Sequence, residues 1–555
     1  MLGLAPLLLS LPLLASAWER SYHAQNQHDF NGWDYVLGKS HHYMPGRQYN
    51  SSIPTLGNST FSQLIDHANP SLGSFEQFYY YSTEFWEGPG SPVIMFTPGE
   101  INVTGYQSYA SVNRTTGVLA QELGAAVFVV EHRYWGTSSP YADLTTANLQ
   151  YLTLENSIED LVYFAQKIKL PWAPHVPSTA KDVPWVMSGG SYSGALSAWT
   201  ESVAPGTYWA YHSSSAPVQA ISDYWAYFLP VQEGMPKNCS KDVGLVIDHL
   251  DDILTNGSEE EVTELKKLFL MEDVEHNDDF MGALENGPWL WQGNQFYTGY
   301  SPFFQWCDFI EGVLLGSNST NSTTPSAKGV GLDKALQGYA TWFTTELLPG
   351  LCESYGYPEF NGTYNTACFD TYDPSSPLFT DTSLSNEVDR QWFWMLCNEP
   401  FGYWQDGAPK DRPTIVSRLV TAEYQARQCA LYFPTGPNGE TYALAKGKTE
   451  ADTNAYTGGW DDRTSHRLIY ATGGFDPWRE TGVSAELRPG GPLQSTAQTP
   501  VNVVPGGFHT SDLITKNGVA NAGCKAVIDK EVAQIKSWVA EWPGYARKGG
   551  HHWSA

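Results

Sequence analysis

Pro184-Trp185-Val186-Met187-Ser188-Gly189-Gly190-Ser191-Tyr192-Ser193-Gly194-Ala195-Leu196 is the stretch on which the fold turns. It opens as an apolar run with a β-branched residue, the pattern of a buried strand. It closes as Ala195-Leu196-Ser197-Ala198-Trp199, which starts a helix. A strand that turns sharply into a helix holds the turn residue in a strained conformation with its side chain standing free. Small neighbours are needed because the backbone passes close to itself there. Gly189-Gly190-Ser191-Tyr192-Ser193 matches the strand-turn-helix pattern G-x-S-x-G except at its last position, where Ser193 replaces Gly. Serine is small enough to keep the turn.

The flanking text repeats the same grammar. Phe75–Tyr81, Pro92–Thr97 and Ala125–Val130 read as strands, and Tyr208–His212 as a further one. Gly117–Gly124 reads as a helix closed by glycine, and 154–165 has apolar residues at helical spacing. Residues 18–74 look irregular. Near-continuous apolar strands alternating with helices imply a parallel sheet covered on both faces, an α/β class. From about 218 to 455 the text becomes helical and rich in loops, with a well-capped surface helix at Ser258–Leu270. The aromatic clusters Phe303–Trp306 and Trp392–Met395 suit a core or the roof of a cleft, core being the plainer reading. Strands return at Arg467–Thr472 and Val501–Val504, and a last helix runs from Lys525 to Trp538. The expected organisation is a leader at 1–17, a sheet domain at 18–217 and 456–555, and a helical cap at 218–455 between sheet strands.

The leader expectation rests on a leucine-rich segment ending Ala15-Ser16-Ala17, the pattern of a secretory signal. Asn50, Asn58, Asn102, Asn113, Asn238, Asn256, Asn318, Asn321 and Asn361 each open an N-x-[ST] triplet, which supports secretion and glycosylation. The seven cysteines contain no C-x-x-C pair and fit up to three disulfides, mostly within 239–429, with one thiol left over. No cofactor and no metal are expected, and His41-His42 lacks ligand-spaced partners. A net charge of −28 argues against nucleic acid as a partner. No later apolar run is long enough to span a bilayer. The expected product is an extracellular protein, or one of an acidic vacuole-like compartment, acting as monomer or homodimer.

Three chemistry-bearing residues each follow a strand. Ser191 follows the elbow strand, Asp476 follows strand 467–472 after Gly473-Gly474, and His509 follows strand 501–504 after Gly506-Gly507. The order Ser, Asp, His, each just beyond a strand, is that of a catalytic triad on an α/β-hydrolase sheet. His132 is a rival base, but it precedes Ser191. Oxyanion donors are expected at the Tyr192 N–H and in the loop at Gly99.

Glu131-His132-Arg133-Tyr134-Trp135-Gly136, Gly189–Gly194, Asp476-Pro477-Trp478 and Phe508-His509 together resemble the lysosomal Pro-X carboxypeptidase and dipeptidyl peptidase II family. The likeness extends over essentially the whole mature chain and is strongest to secreted fungal members, which include acid prolyl endopeptidases. It implies an α/β-hydrolase with a helical cap, a serine peptidase cleaving peptides or proteins after proline at acid pH without a cofactor, and a triad at Ser191, Asp476 and His509. Carboxypeptidase, dipeptidyl peptidase and endopeptidase modes stay open, with a secreted lipase or esterase as the more remote reading. Trp478 is the expected wall of a proline pocket, and Glu100 and Glu399 are possible contacts for a peptide terminus.

Overall fold

A computed structural model describes residues 55–313, 325–461 and 465–544. The leader and the sequons at Asn50, Asn318 and Asn321 lie outside the described residues. The sheet is built from β1 (Leu56–Leu64), β2 (Ser74–Ser82), β3 (Val93–Phe96), β4 (Ala126–Val130), β5 (Trp185–Gly190) and β6 (Ala210–Ser214). A separate two-stranded parallel sheet joins β7 (Ile221–Asp223) to β8 (Gly402–Trp404). The main sheet is completed by β9 (Leu468–Gly473) and β10 (Val501–Val504). Its order is β1-β2-β4-β3-β5-β6-β9-β10, antiparallel for the first two strands and parallel from β4 onward. This is the α/β-hydrolase fold.

β1 corrects the expectation that 18–74 is irregular. It pairs residue for residue with β2 from Leu56↔Ser82 to Leu64↔Ser74. Its sequence, Leu-Gly-Asn-Ser-Thr-Phe-Ser-Gln-Leu, gives no apolar alternation because it is an edge strand with little buried surface. Backbone pairing is supplemented by Phe61, edge-on to Phe164, and by the buried Gln63 amide, which donates to Gln77 and to the Asp160 carbonyl.

Each central strand is apolar on both faces. Ile94, Phe96, Val127, Val129 and Val186 pack on α1 (Thr115–Leu123) and the C-terminal helix. Met95, Phe128, Trp185 and Met187 face the other layer, with α2 (Leu154–Lys167) and α3 (Tyr192–Val203). The Thr153 hydroxyl caps α2 by accepting from the Asn156 N–H, and Gly124 closes α1 in the left-handed region. The chain leaves the sheet after β6 and returns at β9, its immediate parallel neighbour. The intervening segment is mostly helical, including α4 (Lys237–Asn256), α5 (Pro302–Ile310), α6 (Leu332–Trp342) and α7 (Arg390–Asn398). Disulfides Cys239–Cys307, Cys352–Cys368 and Cys397–Cys429 all lie within it, while Cys524 is a buried free thiol. The chain ends on α8 (Ala522–Ala540). No helix among the described residues is long and apolar enough to cross a membrane.

Candidate active site

Ser191 sits between β5 and α3 with φ 59° and ψ −133°, a conformation that non-glycine residues rarely adopt. Its N–H donates to the Ser214 carbonyl at 2.9 Å, and its own carbonyl accepts from the Ala195 N–H. Glycine is required at 189 because a Cβ there would lie 2.0 Å from the Ser193 carbonyl oxygen. Ser193, the departure from G-x-S-x-G, is also put to use. Its hydroxyl donates to the Gly190 carbonyl at 2.7 Å and accepts from the Gly190 N–H at 2.9 Å.

Asp476 and His509 come from neighbouring parallel strands. The two loops approach so closely that a Cβ on Gly473 would lie 2.4 Å from the Gly507 carbonyl oxygen. The Phe475 N–H donates to that same carbonyl at 2.8 Å. Asp476 Oδ1 lies 2.9 Å from His509 Nδ1 and also accepts from the Trp478 N–H at 3.0 Å. Asp476 Oδ2 is 3.3 Å from the Thr472 hydroxyl. Asp476 is fully buried and His509 is 3% exposed. Ser191 and His509 line one small cavity together with Glu100, Gly190, Thr510 and Leu513. The rival His132 is elsewhere. Its Nε2 is 3.2 Å from the Tyr192 hydroxyl, and burial pulls its pKa down to about 4.

The N–H of Tyr192 is in the first turn of α3, where backbone donors have no partner within the helix. Gly99 abuts the elbow: a Cβ there would lie 3.2 Å from the Tyr192 ring and 3.3 Å from Ser193 Cβ. Its N–H makes a long contact, 3.3 Å, with Thr97 Oγ1. Glu131, quoted above as part of the Glu131–Gly136 motif but given no role there, holds this loop. Its carboxylate accepts from the Val103 N–H at 3.0 Å, the Thr137 N–H at 3.0 Å and the Ser138 hydroxyl at 2.6 Å. Arg133, next in the same motif, is buried and pairs through Nε with Asp160 Oδ2 at 2.7 Å. It also donates to the Leu64, Ile65 and Tyr151 carbonyls, tying β1 to α2.

A larger cavity of about 170 Å³ is also lined by Ser191. Trp478, Tyr403, Trp392, Phe393 and Tyr192 give it an aromatic lining, and Glu100 and Asp389 bring carboxyl groups to it. Trp478 stacks on Tyr224 with centroids 5.7 Å apart, and its indole N–H donates to Gln292 Oε1 at 2.9 Å. α7 divides by face: Trp392, Phe393 and Leu396 line the cavity, while Trp394 and Met395 are buried. In α5, Phe303 and Trp306 are core. Glu399, the other acid considered for a peptide terminus, is placed differently from Glu100. It does not line the cavity but pairs with Lys448 Nζ at 2.7 Å and accepts from Asn398 Nδ2 at 3.0 Å. A buried carboxylate just past α7 is held by the nearest cation, and its sequence position alone did not reveal that partner.

The family model for serine carboxypeptidase S28 matches residues 63–285 and 357–517. The chain belongs to this family. It is a serine peptidase. Serine protease vicPa of Bipolaris victoriae is 42% identical over 516 residues, 91% of this chain and 94% of that one. A probable extracellular serine carboxypeptidase of Arthroderma benhamiae is 30% identical over 74% of this chain and 56% of its own length. The thymus-specific serine protease of Homo sapiens is 26% identical over 88% of this chain and 87% of that one. Among solved structures, a peroxisomal α/β-hydrolase of Saccharomyces cerevisiae aligns over 90% of this chain and 91% of that one, at 10% identity and a TM-score of 0.32.

Proposed function

We propose that this S28 peptidase hydrolyses peptide bonds on the carboxyl side of proline through an acyl-enzyme on Ser191. The observation that carries the reading is that Ser191 lines both the cavity it shares with His509 and the cleft walled by Trp478 and its aromatic neighbours. The Asp476 carboxylate accepts the Nδ1 proton of His509, which leaves Nε2 as the base that takes the Ser191 proton during attack. The tetrahedral oxyanion is held by the Tyr192 N–H at the positive end of α3 and by the N–H of Gly99. His509 then protonates the leaving amine, and water releases the acyl group by the same route in reverse. An aromatic wall suits a pyrrolidine ring, which offers apolar faces and no N–H. At about 170 Å³ the cavity is smaller than the roughly 300–1,000 Å³ of a site that encloses a drug-sized ligand. It accommodates a residue or two of a chain that continues outside.

Among the described residues lining this cleft there is no lysine or arginine. A carboxypeptidase usually meets the terminal carboxylate with such a cation, so an endopeptidase is the leading reading. The printed name of the Arthroderma benhamiae relative keeps carboxypeptidase as the second. Glu100 and Asp389 offer contacts for an amino terminus in a dipeptidyl mode. Peptides with an internal proline and both ends blocked separate these modes, with cut sites read by mass spectrometry. Cleavage after proline supports the endopeptidase. Cleavage of unblocked peptides alone assigns an exopeptidase. Turnover of simple esters with no cleavage at proline would overturn the reading in favour of an esterase.

The cap is assigned to 218–455, between β6 and β9. Secretion is supported by three disulfides and by the extracellular relative. Asn58, Asn102, Asn113, Asn256 and Asn361 are exposed and suit glycosylation. Asn238 is half-buried and donates to Glu311, which makes it the poorest acceptor among the described sequons.

A further inference from the structure

We propose that His212, Asp512 and Glu531 form a binding site for one divalent cation of the zinc or manganese class. His212 is on β6, Asp512 lies three residues beyond His509, and Glu531 is on α8. All three are completely buried. His212 Nε2 is 3.5 Å from Asp512 Oδ2 and 3.6 Å from Glu531 Oε2. Both distances are too long for a good N–H···O hydrogen bond. They are close to the edge of a tetrahedron whose metal–ligand bonds are about 2.0–2.1 Å, an edge of roughly 3.3–3.4 Å. One ligand atom from each residue lies within 4.8 Å of the others.

The acidic cluster alone would be weak evidence. The decisive addition is a set of buried atoms aimed into it without a hydrogen-bond partner: His212 Nε2, Asp512 Oδ2 and both carboxylate oxygens of Glu531. Buried polar atoms are nearly always satisfied, and buried charges are paired or bound to metal. Three of these atoms, one from each side chain, face one another: His212 Nε2, Asp512 Oδ2 and Glu531 Oε2. The remaining atoms of the same side chains are already engaged in the way that orients metal ligands. His212 Nδ1 is 3.1 Å from the Ser188 hydroxyl, and in the tautomer whose Nδ1–H donates to that hydroxyl Nε2 presents its lone pair to the cluster. Asp512 Oδ1 accepts from the Ser214 hydroxyl at 2.7 Å, which leaves Oδ2. A dication offsets the two carboxylates and leaves the buried site neutral. One imidazole nitrogen with carboxylate oxygens is a donor set for zinc or manganese. The neighbouring Cys524 thiol donates to the Ser511 carbonyl instead. The ion would join β6 and α8 to the segment that follows His509. Ser214, bonded to Asp512, is also the residue whose carbonyl accepts the Ser191 N–H.

The test is metal analysis of the full chain produced in a eukaryotic host and purified without chelator. Inductively coupled plasma mass spectrometry should find about one zinc or manganese ion per chain, retained through dialysis. Glu531→Gln, which keeps the side-chain shape, and His212→Ala should each lose it. The Glu531→Gln protein should melt lower and should not respond to added zinc chloride. Two results would overturn the proposal. One is wild-type protein with no bound metal and no rise in melting temperature with zinc or manganese chloride. The other is full metal content in both variants, which would place the ion elsewhere.

Discussion

Ser193 and Gly190 are joined by two hydrogen bonds across the turn that presents Ser191: Oγ to the Gly190 carbonyl at 2.7 Å and the Gly190 N–H to Oγ at 2.9 Å. The departure from G-x-S-x-G therefore clamps the elbow where glycine would only permit it. Ser193→Ala leaves two buried backbone groups short of a partner. Its cost should be about 1–3 kcal/mol for each group left unsatisfied. Ser193→Gly should lose the same bonds. Thermal denaturation should show both variants folded with lower melting temperatures. A melting temperature equal to wild type in Ser193→Ala would show that the clamp contributes nothing.

Asp476 Oδ1 serves two donors, the His509 ring and the Trp478 N–H. Asp476→Asn keeps the volume but presents an amide that can no longer accept at both oxygens. His509 would then be held in the wrong tautomer, and kcat should fall by about 10⁴-fold. Ser191→Ala should abolish both turnover and labelling by a serine-directed phosphonate. Steady-state rates on a proline peptide, with labelling read by intact-protein mass, check both. Full activity in either variant removes that residue from the mechanism.

Much of this site was legible because each candidate residue follows a strand with its own strong signal. β5, β9 and β10 are short apolar runs, and the Gly-Gly turns before Asp476 and His509 announce the tight approach that Gly473 makes against Gly507. β1 was illegible because its inward positions are Gly57, Ser59, Phe61 and Gln63, so the alternation in burial is not an alternation in hydrophobicity. The division of α7 between cleft and core was also hidden: Trp392 and Trp394 are the same residue type, and only the packed partner elements distinguish them. Glu399 and Glu100 look alike in sequence, yet one is held by Lys448 and the other reaches the cleft. The His212, Asp512 and Glu531 cluster joins positions too far apart in the chain for any spacing rule to connect.

Trp478 lines the cleft and is braced edge-on by Tyr227 and Tyr403, at 5.5 and 5.4 Å between centroids. A wall so supported is rigid. Trp478→Ala should lower kcat/KM on proline peptides by about 10–200-fold, the range for losing one apolar contact in a specificity pocket. Trp478→Phe should recover part of the loss. An ester of a small acyl group that never touches the wall should be affected less. Equal losses on both substrates would assign Trp478 to structure and not to specificity.

Glu131 connects the loop of Gly99 and Glu100 to the turn at Thr137 and Ser138 through three accepted hydrogen bonds. Glu131→Gln replaces one accepting oxygen by a donor and sets an N–H against a backbone N–H. The loop should shift, so kcat should fall by 10²–10³-fold if the Gly99 donor is lost, the range for one oxyanion contact. KM for a peptide anchored mainly at Trp478 should change little. A variant with unchanged kcat would show that this loop does not hold the oxyanion.

Stability should rise toward acid pH, and Asp406 gives the clearest reason. Burial, reinforced by the Asp223 carboxyl, pushes its pKa from 3.8 up to about 9. Burial likewise raises Glu311 from 4.5 to about 7 and holds Glu285 well above the carboxylate range. Above their ordinary values these groups stay protonated in the folded chain and ionise in the unfolded one. Their contribution is therefore fully present below about pH 4 and is lost as pH rises through the folded values. His132 acts in the opposite sense: its folded pKa of about 4 lies below the ordinary 6.5, so its contribution is present above 6.5 and lost as pH falls toward 4. Burial raises Glu131, Asp251 and Asp279 in the same sense as these three acids, so the acids outweigh His132 and the slope favours acid. Thermal melts between about pH 4 and about pH 8 should show the wild type losing stability as pH rises. Asp406→Asn, uncharged throughout, should lose less over the same interval. Parallel curves for the two proteins would mean that Asp406 is already ionised in the folded state and that its burial has no part in the pH dependence.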